Sequence, residues 1–390
     1  MTHKILVVDD EPDLEVLIRQ RFRRQIREKM FDFLFAQNGE EALQKLKEDP
    51  EIAVVLSDIN MPVMDGLTLL SRINDLSSST LKAVIVSAYG DIQNIRIAMN
   101  RGAFDFLTKP IDFQDFETTI YKTVQESVAL RLGLKAREQL VAIQQELGIA
   151  ARIQQSMLPR TFPPFPGREE FELYATMFAA KEVGGDFYDF FLIDEHRLGF
   201  VIADVSGKGV PAAIFMAVSR TLLRATALEK LPPGKCLEYV NAALSSDSDT
   251  TMFVTVFYGI LHTDTGEVEF CIGGHNPPYL FSANGRVQVL DAPTHMLLGV
   301  LSDVPYETHR LKLEPGEGMF LFTDGVTEAM DANDVLYSEE RLEEVLQKFR
   351  DRSADEMVRE VVTDVRKHAG DAPQSDDITV LVLRYLKPSS

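Results

Sequence analysis

The chain has 390 residues, enough for two or three domains with cores of their own. A hydrophobic share of 45% and a charged share of 26% are those of ordinary water-soluble protein, and no window approaches the roughly 18 uninterrupted apolar residues of a membrane span. The net charge of −20 argues against a nucleic-acid-binding surface, which would need a basic face.

Residues 1–4 lead straight into a predicted strand, without a signal-peptide pattern, and Cys236 and Cys271 lie far apart in apolar surroundings. They are expected to be plain buried thiols of a cytoplasmic protein. Across 1–124, short apolar strands alternate with helical patterns. Strands are expected at 4–8, 31–35, 53–56, 83–86 and 103–107, and helices at 12–29, 39–48, 65–76, 91–101 and 112–124. That alternation predicts an α/β doubly wound five-stranded parallel sheet, with ligands at the strands' C-terminal ends. Asp9 and Asp10 close the first strand, Asp58 the third, Ser87 the fourth and Lys109 the fifth.

The stretches Val-Val-Asp-Asp-Glu-Pro, Ser-Asp-Ile-Asn-Met-Pro-Val-Met-Asp-Gly, Val-Ser-Ala-Tyr-Gly and Phe-Leu-Thr-Lys-Pro come in that order. In these motifs the segment resembles the receiver domain of two-component response regulators. The resemblance implies that Asp58 is the phosphoacceptor, with Mg²⁺ held by Asp9, Asp10, Asp58 and the Asn60 main-chain carbonyl. It also implies that Lys109 and Ser87 hold phosphoryl oxygens, that a sensor histidine kinase is the donor, and that Lys109-Pro110 is cis. Phe106 stands where that family carries a switch aromatic; its bland reading is core.

The connector, 125–166, belongs to a helical stretch from Phe113 to Met157 that lacks proline. Leu140, Ile143, Leu147, Ala150, Gln154 and Met157 are spaced by alternating threes and fours, a coiled-coil seam. The apolar set Ile120, Val124, Val128 follows another phase, which places a register break near Gly133. Such a seam either pairs with its twin or lies on a neighbouring domain; a homodimer is the favoured expectation.

The domain at 167–387 opens on Val-Gly-Gly-Asp-Phe-Tyr-Asp and Ala-Asp-Val-Ser-Gly-Lys-Gly, joined by a hairpin of strands at 187–193 and 198–203. Folding the hairpin brings Asp186 beside Asp204, either as a nest for a hard cation or as two ordinary turn signals. Helices are expected at 211–228, 233–244, 338–350 and 354–368. Strands are expected at 251–263, 267–272, 279–282, 287–290, 319–323 and 378–383, with a turn at Asn284-Gly285. The expected architecture is an α+β sandwich of antiparallel sheets flanked by helices. Asp324 and Asp376-Asp377 add acidic strand-end motifs, so the donors are oxygens throughout, which favours Mg²⁺ or Mn²⁺ over zinc.

At these motifs, at Gly-Gly-His-Asn-Pro-Pro (273–278) and at Ile-Gln-Gln-Ser-Met-Leu-Pro, the domain resembles the metal-dependent type-2C protein phosphatases. It is most similar to the bacterial sporulation and stress-response branch, which dephosphorylates anti-sigma-factor antagonists. The resemblance implies two Mn²⁺ or Mg²⁺ ions: Asp204 bridging them, the Val205 carbonyl on one, Asp324 and Asp376 on the other, and Asp186 orienting waters. Asp377 is expected to hydrogen-bond rather than ligate. Where other members carry Asp-Gly-His, this chain has Asp204-Val205-Ser206, so the histidine acid is missing. His275 is either a structural turn residue or a catalytic one. Glu182, Asp189 and Lys208 are expected in turn or surface roles. The whole is read as a regulated serine/threonine phosphatase in a partner-switching pathway. The alternative is a catalytically silent adaptor on the same fold; a DNA-binding regulator lacks a helix-turn-helix.

Overall fold

A computed structural model of the protein describes residues 2–76, 80–88, 91–246, 252–282 and 285–386. Met1, Tyr89, Gly90, Thr251, Asn284 and the expected domain end at 387 lie outside the described residues. The chain forms two compact units, Met1–Ile143 and Gln144–Ser390.

In the first unit, strands β1 (His3–Val8), β2 (Phe31–Ala36), β3 (Ile52–Asp58), β4 (Lys82–Ala88) and β5 (Asp105–Lys109) form one parallel sheet in the order β2-β1-β3-β4-β5. Helices α1 (Pro12–Arg21), α2 (Arg23–Arg27), α3 (Gly39–Glu48), α4 (Gly66–Asp75) and α5 (Ile92–Asn100) intervene, and α6 (Phe113–Met157) follows. β3 is buried at all seven positions, as a central strand covered on both faces must be. One core joins Ile5, Val54 and Val84 to Phe22, Phe116 and Ile120 on the helices; another joins Leu6, Val8 and Val55 to Leu46 and Leu69. Asn38 and Asp65 cap α3 and α4 by accepting the Glu41 and Thr68 amides at 3.0 and 2.7 Å.

The single helix expected over 12–29 is interrupted. Phe22 leaves helical geometry (φ −94°, ψ 15°), and its fully buried ring packs among Phe31, Phe33 and Phe116. Core packing of one aromatic outweighs the propensity of its Arg-rich neighbours. The helical stretch expected over Phe113–Met157 is one helix of 45 residues, continuous through Gly133, where the change of apolar register was expected.

The second unit contains two antiparallel five-stranded sheets. One is built from β7 (Phe187–Leu192), β8 (Arg197–Val205), β9 (Val254–His262), β10 (Glu267–Gly273) and β13 (His309–Lys312), in the order β13-β10-β9-β8-β7. The other uses β6 (Phe171–Phe178), β11 (Tyr279–Phe281), β12 (Val287–Val289), β14 (Gly318–Phe322) and β15 (Ile378–Tyr385), ordered β12-β11-β14-β15-β6. Period-two alternation decides the layers. Met319, Leu321, Leu381 and Leu383 share the central core with the first sheet. Their neighbours Phe320, Phe322, Val380 and Val382 face α10 (Glu339–Phe349) and α11 (Ala354–Ala369). Helices α7 (Val210–Ala227) and α8 (Pro233–Ser246) cover the other side, giving helices outside a β-sandwich. A short helix, α9 (Asp324–Thr327), follows β14 directly. Strands β6 and β13 were not expected from the sequence, although β6 alternates clearly, Phe-Glu-Leu-Tyr-Ala-Thr-Met-Phe.

Candidate functional site

In the first unit the parallel sheet delivers its strand ends to one edge. Asp9 follows β1, Asp58 ends β3 and Lys109 ends β5. Carboxylate oxygens of Asp9, Asp10 and Asp58 lie within 4.8 Å of one another, a spacing one cation can satisfy. The Lys109 ammonium stands 2.7 Å from Asp58, 3.0 Å from Asp9 and 3.2 Å from Glu11. Burial pushes the Asp9 carboxyl up, against its hydrogen bonds from the Glu11 amide and Lys109. Burial alone would lower Lys109, but its bonds to Asp58 and Asp9 hold it above the usual lysine range. Gly66 is required here, because a Cβ at that position would collide with the Asp58 carbonyl. Ser87 on β4 donates to Asp91 at 3.4 Å, and Asn60 is exposed two residues beyond Asp58. Phe106 is 39% exposed, hence not a core residue, and Lys109-Pro110 is cis.

In the second unit, Phe187 pairs with Ala203 in the β7–β8 ladder, so Asp186 and Asp204 stand at its next step. Antiparallel β14 and β15 bring Asp324 and Asp376-Asp377 to the same end of the sandwich. Asp186 is 2% exposed, and its Oδ2 accepts hydrogen bonds from Thr323 and Thr379, both at 2.7 Å. The Thr379 amide in turn donates to the Thr323 hydroxyl at 3.1 Å, so the clamp spans both strands. Burial, followed by repulsion from Asp204 and Asp377, raises the Asp186 carboxyl well above its ordinary value. Asp204 is pushed up to about 7 by burial and by Asp324 and Asp376. Asp324 is raised as well, first by burial and then by Glu328 and Asp376. Buried acids whose ionised forms repel in this way are oxygen donors that a divalent cation would neutralise, although among the described residues no three of them bring ligand oxygens within 4.8 Å of one another as Asp9, Asp10 and Asp58 do. Glycines allow the close approach: a Cβ on Gly185 would stand 2.7 Å from the Val205 carbonyl oxygen, and one on Gly325 would strike the Asp377 carbonyl.

Asp377 does not face the acid cluster as a free ligand. Its carboxylate accepts the amides of Ala180, Gly185 and Asp186 at 2.8, 2.7 and 3.3 Å, fixing the Gly-Gly-Asp loop. The same loop is gripped from α6. Gln154 Nε2 donates to the Gly184 carbonyl at 2.6 Å, while the Gly184 amide donates to Gln154 Oε1 at 3.0 Å. Gln154, expected only as a polar member of the helical seam, is therefore joined to the site's main chain.

The remaining expectations about this region divide. His275 is buried, its Nδ1 bonds the Thr255 hydroxyl at 3.0 Å, and burial lowers it to about 4. That is a neutral interior residue rather than a proton donor. Asp189, expected at a turn or on the surface, is 1% exposed, held by Arg220 at 2.9 Å and Arg224 at 3.0 Å. Alternation along β7 puts it on the α7 side, and two arginines on α7 compensate its buried charge. Lys208 is exposed in a turn, as expected, and its ammonium pairs with Asp376 at 2.7 Å. Glu182 is exposed, as expected.

Comparison with known proteins places each unit beside a known family. The response regulator receiver domain family matches residues 5–121, and the family of Stage II sporulation protein E (SpoIIE) matches residues 194–386. Phosphoserine phosphatase RsbU of Bacillus subtilis is 30% identical over 242 residues, covering 62% of this chain and 70% of RsbU. Sporulation initiation phosphotransferase F of the same organism is 30% identical over 123 residues, 31% of this chain and 94% of that protein. The fold of the second unit matches the SiaA-PP2C domain of Pseudomonas aeruginosa with a TM-score of 0.56, at 22% identity, over 63% of this chain and 98% of that one. The chain spans only 41% and 45% of the length of two further relatives. It combines a response-regulator receiver with a serine/threonine phosphatase domain. Through that second domain it belongs to the SpoIIE- and RsbU-like phosphatase family.

Proposed function

We propose that the protein is a cytoplasmic response regulator whose output is Mn²⁺- or Mg²⁺-dependent dephosphorylation of phosphoserine or phosphothreonine. Its substrate would be a phosphorylated anti-sigma-factor antagonist in a partner-switching pathway, and a sensor histidine kinase would phosphorylate Asp58. The observation that carries the catalytic reading is the convergence of Asp186, Asp204, Asp324 and Asp376 at one end of the sandwich, with Asp186 fully enclosed. The match to a phosphatase named for phosphoserine supports the substrate class.

Asp204 and the Val205 carbonyl, with Asp324 and Asp376, would hold two divalent ions, and Asp186 would orient water from its threonine clamp. When bound, such ions supply Lewis acidity, making a water acidic enough to attack phosphorus and neutralising phosphoryl charge. Asp377 keeps the Gly-Gly-Asp loop in place for that attack. In the receiver, Asp9, Asp10, Asp58 and the Asn60 carbonyl would hold one Mg²⁺ while Lys109 and Ser87 take phosphoryl oxygens.

Control would run along α6, which starts four residues after Lys109 and ends in the Gln154–Gly184 bonds. Its residues Leu140 and Ile143 are 56% and 54% exposed in the single chain, which supports a homodimer joined through this helix.

The test is hydrolysis of a phosphoserine peptide with Mn²⁺ and with chelator, for wild type, Asp204→Asn and Asp58→Ala. Metal-dependent turnover is expected, lost in Asp204→Asn and altered in its response to a phosphodonor in Asp58→Ala. A folded wild type that hydrolyses neither this peptide nor a phosphorylated antagonist protein would instead establish the silent adaptor.

A further inference from the structure

Lys208 sits in the loop between β8 and α7, four residues after Asp204, flanked by Gly207 (φ +85°) and Gly209 (φ +78°). Two left-handed glycines fold this short loop back on itself. The Lys208 ammonium lies 2.7 Å from Asp376 Oδ2 and also donates to the Ser375 carbonyl. Among the described residues, no other lysine or arginine pairs with Asp186, Asp204, Asp324, Asp376 or Asp377. An ammonium carries three N–H donors, and two are used in these contacts. The side chain is 40% exposed, so the third donor can be reached from solvent.

A phosphoserine group carries close to two negative charges at neutral pH. Approaching the half-buried carboxylates of Asp204, Asp324 and Asp376, it needs cationic partners besides those that the carboxylates themselves hold. Lysine binds phosphate as a point charge. We propose that Lys208 is a substrate-binding residue of this site, its ammonium joining Asp376 to a phosphoryl oxygen of the phosphoserine. The inference rests on the phosphatase reading and adds to it the residue that recognises the phosphoryl group. The competing structural role is narrower: Lys208 would only brace Asp376.

Titration calorimetry on the full-length, Mg²⁺-loaded protein separates the two, with inorganic phosphate as the probe. Wild type, Lys208→Met and Lys208→Arg are compared for phosphate affinity, for Mg²⁺ affinity without phosphate, and for KM and kcat on a phosphoserine peptide. One charge-assisted hydrogen bond corresponds to a change of about tenfold to a hundredfold. Lys208→Met is expected to weaken phosphate and raise KM by that factor while its Mg²⁺ isotherm and kcat hold, and Lys208→Arg should recover part of the loss. Unchanged phosphate affinity in Lys208→Met overturns the proposal. So does a loss confined to Mg²⁺ affinity and kcat, which is the signature of a brace. Lys208-dependent phosphate binding by a wild type that turns over no phosphopeptide would refute the phosphatase reading and leave the anion site standing.

Discussion

Asp186 shows how much of the site depends on residues that carry no charge. Its carboxylate is enclosed, and what makes that burial tolerable is a pair of threonine hydroxyls, one from Thr-Asp324-Gly and one from Asp376-Asp377-Ile-Thr. Replacing Thr323 by Val removes a donor to Asp186 and the acceptor of the Thr379 amide. A hydrogen bond to a charged group contributes about 1.5–3 kcal/mol. Thr323→Val should therefore lower stability by about that amount and reduce kcat, whereas Thr323→Ser should retain most of both. Denaturant unfolding and peptide hydrolysis check this together; an unaffected Thr323→Val would mean the clamp is dispensable. Both threonines were visible in the sequence inside the acidic motifs, but nothing in a linear motif says that two hydroxyls will meet a third residue. Asp189 was misread because its partners Arg220 and Arg224 lie far along the chain, so a local reading defaults to solvent. Lys208 is exposed in a turn as expected, and only its distant partner Asp376 had no local signal.

At the scale of elements, α6 is the informative one. Its residues near Gly133 are exposed, and nothing lies within 4 Å of a Cβ built on that glycine. With no packing to interrupt it, the helix passes through a residue that costs about 1 kcal/mol relative to alanine without breaking. The seam beyond it divides. Leu140 and Ile143 are open, while Leu147, Ala150 and Met157 are partly covered and Gln154 is buried within the second unit. If the open part pairs two chains, Leu140→Glu with Ile143→Glu should shift sedimentation from dimer to monomer without loss of the far-ultraviolet helix signal. An unchanged sedimentation coefficient would remove α6 as the dimer contact. In α1–α2 the opposite lesson holds: one buried phenylalanine interrupts a stretch whose own propensities favour continuing.

For the whole molecule, His275 ties the interior of the sandwich to solution pH. Its imidazole is lowered to about 4, against an ordinary value near 6.5, because burial disfavours the charged form. Between those values the unfolded chain binds a proton that the native state does not, so native stability falls as pH drops through about 6.5 towards 4. The full shift corresponds to about 3 kcal/mol. Asp204 opposes this: its carboxyl, pushed up to about 7, costs the cation-free protein stability as pH rises from about 4 to 7. Comparing wild type with His275→Gln isolates the histidine. The wild type should lose more unfolding free energy than the variant between pH 7 and pH 5, and parallel curves would refute the burial argument.

Much of this protein is determined by sequence alone. Strand–helix alternation and strand-end acids specify the parallel sheet and place Asp9, Asp58 and Lys109 together, because parallel strands deliver their C-terminal ends to one edge. Hairpin register likewise sets Asp186 beside Asp204, since both belong to neighbouring strands of a short loop. Tertiary structure decided what has no local signal. It joined Gln154 to Gly184 and Lys208 to Asp376, and it supplied the partners of Asp377, expected to hydrogen-bond, in the amides of Ala180, Gly185 and Asp186. Those partners meet only because two sheets and a helix end pack against one another. Burial then fixes which carboxylates repel, which hydroxyls must donate and which cation remains within reach of a phosphate.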